Sequence, residues 1–217
     1  MRIAIVCNGR SGSTSLTYFI NCCLLFENKK HSLFFEPFNY RNLDKEKKIK
    51  RIDEIVNKQN VLVKTFIDRD NFPHESFKNV EEYWSWFYTF FDKVIVLERE
   101  NKRLQSESLL YHLKISENQT VTPHWHKQKY YDLSIVDENE IIGLTKHLES
   151  ESNFLKSISD KGYPHYTYEK IFVDKCSETI TDLLNYLGLS FNQNCVDKWI
   201  NSPYKKVRLD EKTNKLL

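Results

Sequence analysis

The stretch Val6-Cys7-Asn8-Gly9-Arg10-Ser11-Gly12-Ser13-Thr14-Ser15-Leu16 decides the fold of this chain. The run 2–6 before it is apolar and largely β-branched, as in a strand that is buried on both faces of a parallel sheet. Apolar side chains at helical spacing follow it, from Leu16 to Leu25. A strand, a Gly- and Ser-rich turn and a helix, in this order, bring backbone N–H groups together at a helix N-terminus, where anions bind. The sequence therefore predicts an anion site in this turn.

The turn also carries a permanent positive charge. The guanidinium of Arg10 stays protonated, and its planar fork matches the oxygens of phosphate or sulfate. The nucleotide-hydrolase P-loop, G-x-x-x-x-G-K-[ST], does not fit, because Gly9 and Gly12 are too close together and no lysine follows the second glycine. The alternative is a Gly/Ser turn that only caps an ordinary helix.

Length and composition indicate one globular domain spanning 1–217, with two small domains as the alternative. The chain has 217 residues, of which 40% are hydrophobic and 14% aromatic, enough for a single sizeable core. Its formal net charge is +2, so a polyanion would be held by a local cluster of charges and not by a global field. We expect no nucleic-acid partner.

Cysteine usage and hydropathy predict a cytoplasmic protein. The five cysteines follow neither a disulfide framework nor a C-x-x-C metal pattern, which favours core cysteines in a reducing compartment. No apolar run reaches membrane length, and the first strand begins at residue 2. We expect no membrane span and no signal peptide.

Two further stretches carry ionisable groups in apolar surroundings. Pro37 forces Glu36 into an extended or turn conformation, and this carboxylate among aromatic residues is a candidate general base; its alternatives are capping a helix or pairing with Arg10. Lys64 interrupts the buried strand 61–67, where an ammonium is costly unless it emerges at the strand end or meets an anion.

A third strand, 93–99, ends in Arg99, and a helix starts just after it. Ligands of parallel α/β sheets collect at the carboxyl ends of strands, which is where Arg99 would lie. Further helices are predicted over 44–57, 81–92, 137–159 and 176–187, the last ended by Gly188. The aromatic helix 81–92 is expected to fill the core, and an acceptor pocket or a dimer face is the alternative.

The residues resemble those of the PAPS-dependent sulfotransferases. Arg10-Ser11-Gly12-Ser13-Thr14 fits the 5′-phosphosulfate loop, (R/K)-(S/T)-G-(S/T)-T, and 99–108 fits the R-x-N-K-x-x-Q-x-x-S pattern of the 3′-phosphate element. This resemblance implies an α/β fold with three αβα layers and a central parallel sheet, a P-loop-containing nucleotide-kinase-like fold. It also implies PAPS as co-substrate, PAP as product and no metal.

The resemblance also implies roles for the candidate residues. Arg10 and Ser11, Gly12, Ser13 and Thr14 would hold the 5′-phosphosulfate, Lys64 would lie beside the transferring group, and Arg99 and Ser108 would bind the 3′-phosphate, with Ser106 as a substitute for Ser108. Cytosolic members have a histidine base where this chain has Phe66, which favours Glu36-Pro37, as in the tyrosylprotein, carbohydrate and trehalose branches. In the trehalose branch the base falls where Asn39 stands, so Glu36 binding the acceptor is the alternative.

Three later segments give weaker expectations. By resemblance, His124, Trp125 and His126 are acceptor-loop candidates, 165–172 is a strand carrying Tyr168 and Glu169 in structural roles, and 204–208 is either a basic loop over the 3′-phosphate or a solvated tail. We expect the acceptor to be a carbohydrate or another small alcohol. The rival functions are a nucleotide or small-molecule kinase and a non-catalytic nucleotide-binding module. The sequence does not predict the oligomeric state.

Overall fold

The architecture follows from a computed structural model, which describes residues 1–38, 45–66, 76–118, 136–174 and 176–200, together with the short strands at 209–210 and 215–216. Five parallel strands form the central sheet: β1 (Arg2–Cys7), β2 (Ser32–Phe35), β3 (Val61–Phe66), β4 (Lys93–Glu98) and β5 (His165–Thr167). Their order across the sheet is β2-β3-β1-β4-β5. The strand that precedes the anion loop is therefore the middle strand.

Seven helices accompany the sheet in the described part of the chain. They are α1 (Ser13–Phe26), α2 (Lys45–Val56), α3 (Val80–Phe90), α4 (Lys102–Asn118), α5 (Glu138–Ser159), α6 (Ser177–Leu187) and α7 (Gln193–Ile200). Two further strands, β6 (Leu209–Asp210) and β7 (Lys215–Leu216), pair antiparallel in a separate sheet.

Side-chain alternation along the strands builds one core on each face of the sheet. Ile3 and Ile5 of β1 contribute to the core that packs against α1, α6 and α7, whereas Ala4 and Val6 belong to the core with α2, α3 and α5. All four side chains are fully buried, as expected for a strand covered on both faces. The α/β class with helices on both sides of a parallel sheet is thus confirmed.

The aromatic helix α3 is a core helix. Tyr83, Trp84, Phe87 and Phe90 are buried on it, and the ring centroids of Phe87 and Phe91 lie 4.6 Å apart. Its N-cap Asn79 accepts a hydrogen bond from the backbone N–H of Glu82 at 2.8 Å. The expectation that 81–92 fills the core is confirmed.

The expected strand over 165–172 is wrong in its second half. The strand ends at Thr167, and Glu169–Val173 form one π-helical turn instead. The rings of Tyr168 and Phe172 stack with their centroids 4.9 Å apart, a contact that four-residue spacing allows on a helical turn and not along a strand. The edge strand β2 and helix α7 were not predicted, because each is short, with four and eight residues.

Candidate functional site

The anion loop, residues 8–14, joins the end of β1 to the first turn of α1. Arg10 and Gly12 adopt left-handed backbone conformations, with φ of 63° and 80°. A Cβ atom on Gly12 would lie 2.8 Å from ring atoms of both Tyr168 and Phe172. Glycine is therefore required here twice over, for its positive φ and for the close approach of two rings.

The loop presents the open N-terminus of α1. Because the N-cap residue is Gly12, no cap side chain covers the first N–H groups of the helix. Ser11 and Ser13 are buried, and their hydroxyl groups lie near the Cys7 thiol, whose pKa is raised by burial. The arrangement offers backbone donors and the positive end of a helix dipole at one place, which suits an anion.

The loop is tied to helix α4, which follows β4. Nε of Arg10 donates a hydrogen bond to Oγ of Ser108 at 3.0 Å. One turn earlier on α4, the buried side chain of Gln105 donates from Nε2 to Oδ1 of Asn8 at 2.8 Å and to the carbonyl of Gly9. Two sequence elements nearly a hundred residues apart thus meet through side-chain hydrogen bonds.

Ser106 lies on a different side of α4. Its hydroxyl donates to the carbonyl of Lys102 at 2.8 Å and lies 2.9 Å from Oγ1 of Thr145 on α5. Of the two serines considered for the 3′-phosphate, Ser108 is the one in contact with the anion loop.

Lys64 and Glu36 form an ion pair beside the loop. The Lys64 ammonium donates to Oε1 of Glu36, lies 3.5 Å from Oγ1 of Thr14 and sits 4.1 Å from the centroid of the Phe66 ring. The side chain of Lys64 is 4% exposed and that of Glu36 is 34% exposed. The partner of Glu36 among the described contacts is therefore Lys64, and Arg10 donates to Ser108.

The backbone fixes both members of this pair. Phe35 at the end of β2 is in register with Lys64 on β3, and the N–H of Glu36 donates to the Lys64 carbonyl at 2.7 Å. Glu36 itself has φ of 52°, in the left-handed region that non-glycine residues rarely adopt. Glu36 lies in a bend outside any helix, as expected, but its backbone is left-handed, so the expected extended conformation is wrong.

Arg99 follows β4, and its buried side chain packs against Tyr168 and Glu169. Its guanidinium carbon lies 4.7 Å from the centroid of the Tyr168 ring, and its Nε lies 3.8 Å from Oε1 of Glu169. Glu169 also accepts hydrogen bonds from the N–H groups of Glu100 at 2.9 Å and Asn101 at 3.2 Å. Glu169 therefore orders the turn between β4 and α4 in addition to facing Arg99.

A second carboxylate, Glu98 at the end of β4, also contacts the turn between β4 and α4. Glu98 lies 3.0 Å from Nε2 of His165 and 3.1 Å from Nζ of Lys102. Burial by itself would raise the pKa of Glu98, but the His165 contact and the Lys102 charge outweigh it and lower the pKa to about 2. The Lys102 ammonium also donates to the carbonyl of Arg99.

The predicted site residues fall into one region. Arg10, Ser11, Gly12, Ser13 and Thr14 follow β1, Lys64 lies on β3, and Arg99 and Ser108 follow β4, so they occupy the carboxyl ends of three adjacent strands. Glu36 joins them from the end of β2. His124, Trp125, His126, Asn39 and the cluster 204–208 lie outside the described residues.

Sequence reasoning gave no site role to Asn8 and Gln105, which brace the loop from β1 and α4. The signal for Asn8 was a lone amide directly after an apolar strand. Gln105 was matched within the R-x-N-K-x-x-Q-x-x-S pattern, but its contact with the loop could not be predicted, because the pattern does not show that β1 and β4 are neighbours in the sheet. Within the described ranges, no group of three or more His, Cys, Asp and Glu side chains is placed to hold a metal ion. No described helix is long and apolar enough to cross a membrane.

Comparison with models of protein families and with curated proteins found no match for this chain.

Proposed function

We propose that this protein is a PAPS-dependent sulfotransferase, which moves a sulfuryl group from PAPS to a hydroxyl of an acceptor. One observation carries the proposal: the anion loop after β1 and the Arg99–Ser108 element after β4 are joined by the Arg10–Ser108 hydrogen bond. The residues that resemble the 5′ and 3′ elements of that family are thus neighbours at the carboxyl ends of two adjacent strands, β1 and β4. The finer fold assignment, a P-loop-containing nucleotide-kinase-like sulfotransferase fold, belongs to this proposal.

The residues present fit a nucleotide with phosphate groups at both ends. The open N-terminus of α1 and the guanidinium of Arg10 suit the 5′-phosphosulfate. The buried guanidinium of Arg99 and the hydroxyl of Ser108 suit a 3′-phosphate, which separates PAPS from ordinary adenine nucleotides. Because the formal net charge of the chain is only +2, this local cluster of cations has to supply the attraction.

The mechanism we propose is in-line transfer. The acceptor oxygen forms a bond to sulfur while the bond from sulfur to the bridging phosphate oxygen breaks, and PAP leaves with that oxygen. Arg10 and the N–H groups of the loop stabilise the charge that develops on the bridging oxygen, and Lys64 faces the sulfuryl oxygens. Glu36 accepts the proton of the acceptor hydroxyl. Loss of one such cation is expected to raise the barrier by about 2.7–4 kcal/mol.

Several attributes of the protein belong to the same proposal. We expect a carbohydrate or another small alcohol as acceptor, a cytoplasmic location, and no nucleic-acid partner. The side chain of Glu36, one-third exposed beside Lys64, is where the acceptor hydroxyl would approach.

The test combines nucleotide binding with transfer of label. Calorimetry with PAP is expected to give saturable binding that Arg99→Ala weakens strongly, and radiolabelled PAPS is expected to label a hydroxyl acceptor in a carbohydrate and alcohol library. Equal affinity for PAP and for the same nucleotide without its 3′-phosphate would contradict the proposal.

The rival functions give different outcomes in the same assays. A kinase would use ATP with Mg²⁺ and leave PAPS untouched. A non-catalytic module would bind PAP without transferring label to any acceptor. Either result replaces the proposal.

A further inference from the structure

The ion pair between Lys64 and Glu36 points to a role that neither residue has alone. The Lys64 ammonium is the cation closest to Thr14 among the described contacts of the loop, yet it is already bonded to a carboxylate. An anion that binds in the loop must therefore compete with Glu36 for the same ammonium. Nearly complete burial of the Lys64 side chain strengthens this competition, because a buried ammonium requires a counter-charge.

The geometry restricts the exchange to side-chain rotation. The backbones of Glu36 and Lys64 are joined by a hydrogen bond directly beyond the β2–β3 ladder, and Phe35 and Lys64 are in register. Glu36 is also held at φ of 52°, a conformation that persists only where the surroundings enforce it. Because the Lys64 ammonium already lies 3.5 Å from Oγ1 of Thr14, the exchange requires only a rotation of the partly exposed Glu36 side chain.

We propose that Glu36 is the internal counter-ion of Lys64 in the ligand-free protein and that the sulfuryl group of PAPS displaces it. This inference rests on the proposed function for the identity of the anion. Lys64 exchanges one anionic partner for another, so its buried ammonium keeps a counter-charge, while the partly exposed carboxylate of Glu36 is left to solvent. The displaced carboxylate is then available to the acceptor hydroxyl, which links arrival of the donor to release of the base.

The exchange predicts that Glu36→Gln tightens binding of the donor nucleotide. Removing the competing carboxylate leaves Lys64 always available to the donor nucleotide. The apparent dissociation constant of the nucleotide then falls to its intrinsic value, because the whole protein population is competent to bind. We expect a decrease of about fivefold for PAPS, measured by calorimetry without acceptor, because Glu36 is one-third exposed and water weakens its pairing with Lys64. The matched control is Glu27→Gln, which removes the same charge from the exposed Lys29–Glu27 pair and is expected to leave the affinity unchanged.

A double-mutant cycle separates exchange from simple repulsion between Glu36 and the ligand. In a Lys64→Met background, the exchange predicts that Glu36→Gln no longer tightens binding. If the same tightening persists without Lys64, repulsion explains it and the exchange is wrong. Equal affinities of the wild-type protein and Glu36→Gln overturn the exchange as well, while leaving the proposed function intact.

Thermal unfolding with sodium sulfate covers the case in which the donor nucleotide does not bind at all. Glu36→Gln leaves the buried Lys64 ammonium without a carboxylate, so the variant is expected to melt at a lower temperature than the wild type. Because sulfate can then pair with Lys64, the melting temperature of the variant is expected to rise more steeply with sulfate concentration. A Lys64-dependent response to sulfate without PAP binding would retain the exchange and reject the sulfotransferase function. No difference in the sulfate response between the two proteins would reject the exchange.

Discussion

At the scale of single residues, the site depends on backbone conformations that only a few side chains tolerate. Gly12 combines a left-handed φ with a close approach to the rings of Tyr168 and Phe172. The sequence predicted that this residue belongs to an anion loop, because the Gly/Ser pattern is local. It did not predict the two rings, since they come from a segment more than 150 positions later that had been assigned to a strand.

We expect Gly12→Ala to destabilise the protein by about 2–4 kcal/mol, of which about 1–2 kcal/mol is left-handed strain and the rest is steric overlap. Urea denaturation provides the measurement. Gly162→Ala separates the two contributions, because Gly162 has φ of 93° and nothing within 4 Å of an added Cβ, so it should show the strain alone. Equal losses for the two variants would mean that the rings move aside at no cost.

Glu98 is expected to make stability depend on pH. Its pKa is lowered to about 2 in the folded protein, so the stability it contributes is complete above the ordinary carboxylate pKa of about 4.5 and is lost as pH falls toward 2. The difference in unfolding free energy between the wild type and Glu98→Gln should therefore narrow between pH 7 and pH 3.5, by an amount on the order of 1 kcal/mol. Urea denaturation at the two pH values measures it, and a constant difference would show that Glu98 is not held as a carboxylate.

At the scale of elements, helix α4 presents different serines to different neighbours. Ser108 accepts a hydrogen bond from Arg10 of the loop, whereas Ser106 contacts Thr145 of α5. The sequence placed both serines on a helix after Arg99 but left the choice between them open. Helical periodicity alone does not indicate which side of α4 meets β1, and that depends on the packing of α4 against the loop through Gln105.

We expect Ser108→Ala to weaken PAP binding by about tenfold or more, because a hydrogen bond to a charged group contributes about 1.5–3 kcal/mol. Ser106→Ala is the matched control: it removes the same hydroxyl from a position two residues away, on the side of α4 that faces α5, and should leave PAP affinity unchanged. Calorimetry on both variants gives the comparison. A larger loss for Ser106→Ala would reassign the serine.

At the scale of the whole molecule, the sheet order places β1 between β3 and β4, so the three strands that carry most of the site are also the best covered. The sequence indicated the buried parallel strands from their apolar runs. It did not indicate their order, because pairing depends on contacts between distant segments. The edge strand β2 was not predicted, because its four residues are a short run that continues directly into the Glu36-Pro37 bend.

Hydrogen exchange is expected to reflect this order. Backbone amides within β1, β3 and β4 should exchange slowest, near the global unfolding free energy, and amides of β2 and β5 should exchange faster through local opening. Mass spectrometry of deuterated peptides measures the rates. Protection of β2 equal to that of β1 would contradict its position at the edge of the sheet.

The position of β2 at the edge of the sheet separates the residues that stability requires from those that can change with the acceptor. Under the proposed function, donor recognition depends on interior strands, where substitutions disturb both cores. The carboxylate that meets the acceptor, Glu36, directly follows β2, a short edge strand that pairs with β3. Substitutions around β2 are therefore expected to cost little stability and to leave nucleotide binding unchanged. Laboratory evolution toward new alcohols would therefore accumulate its substitutions along this edge and spare the centre.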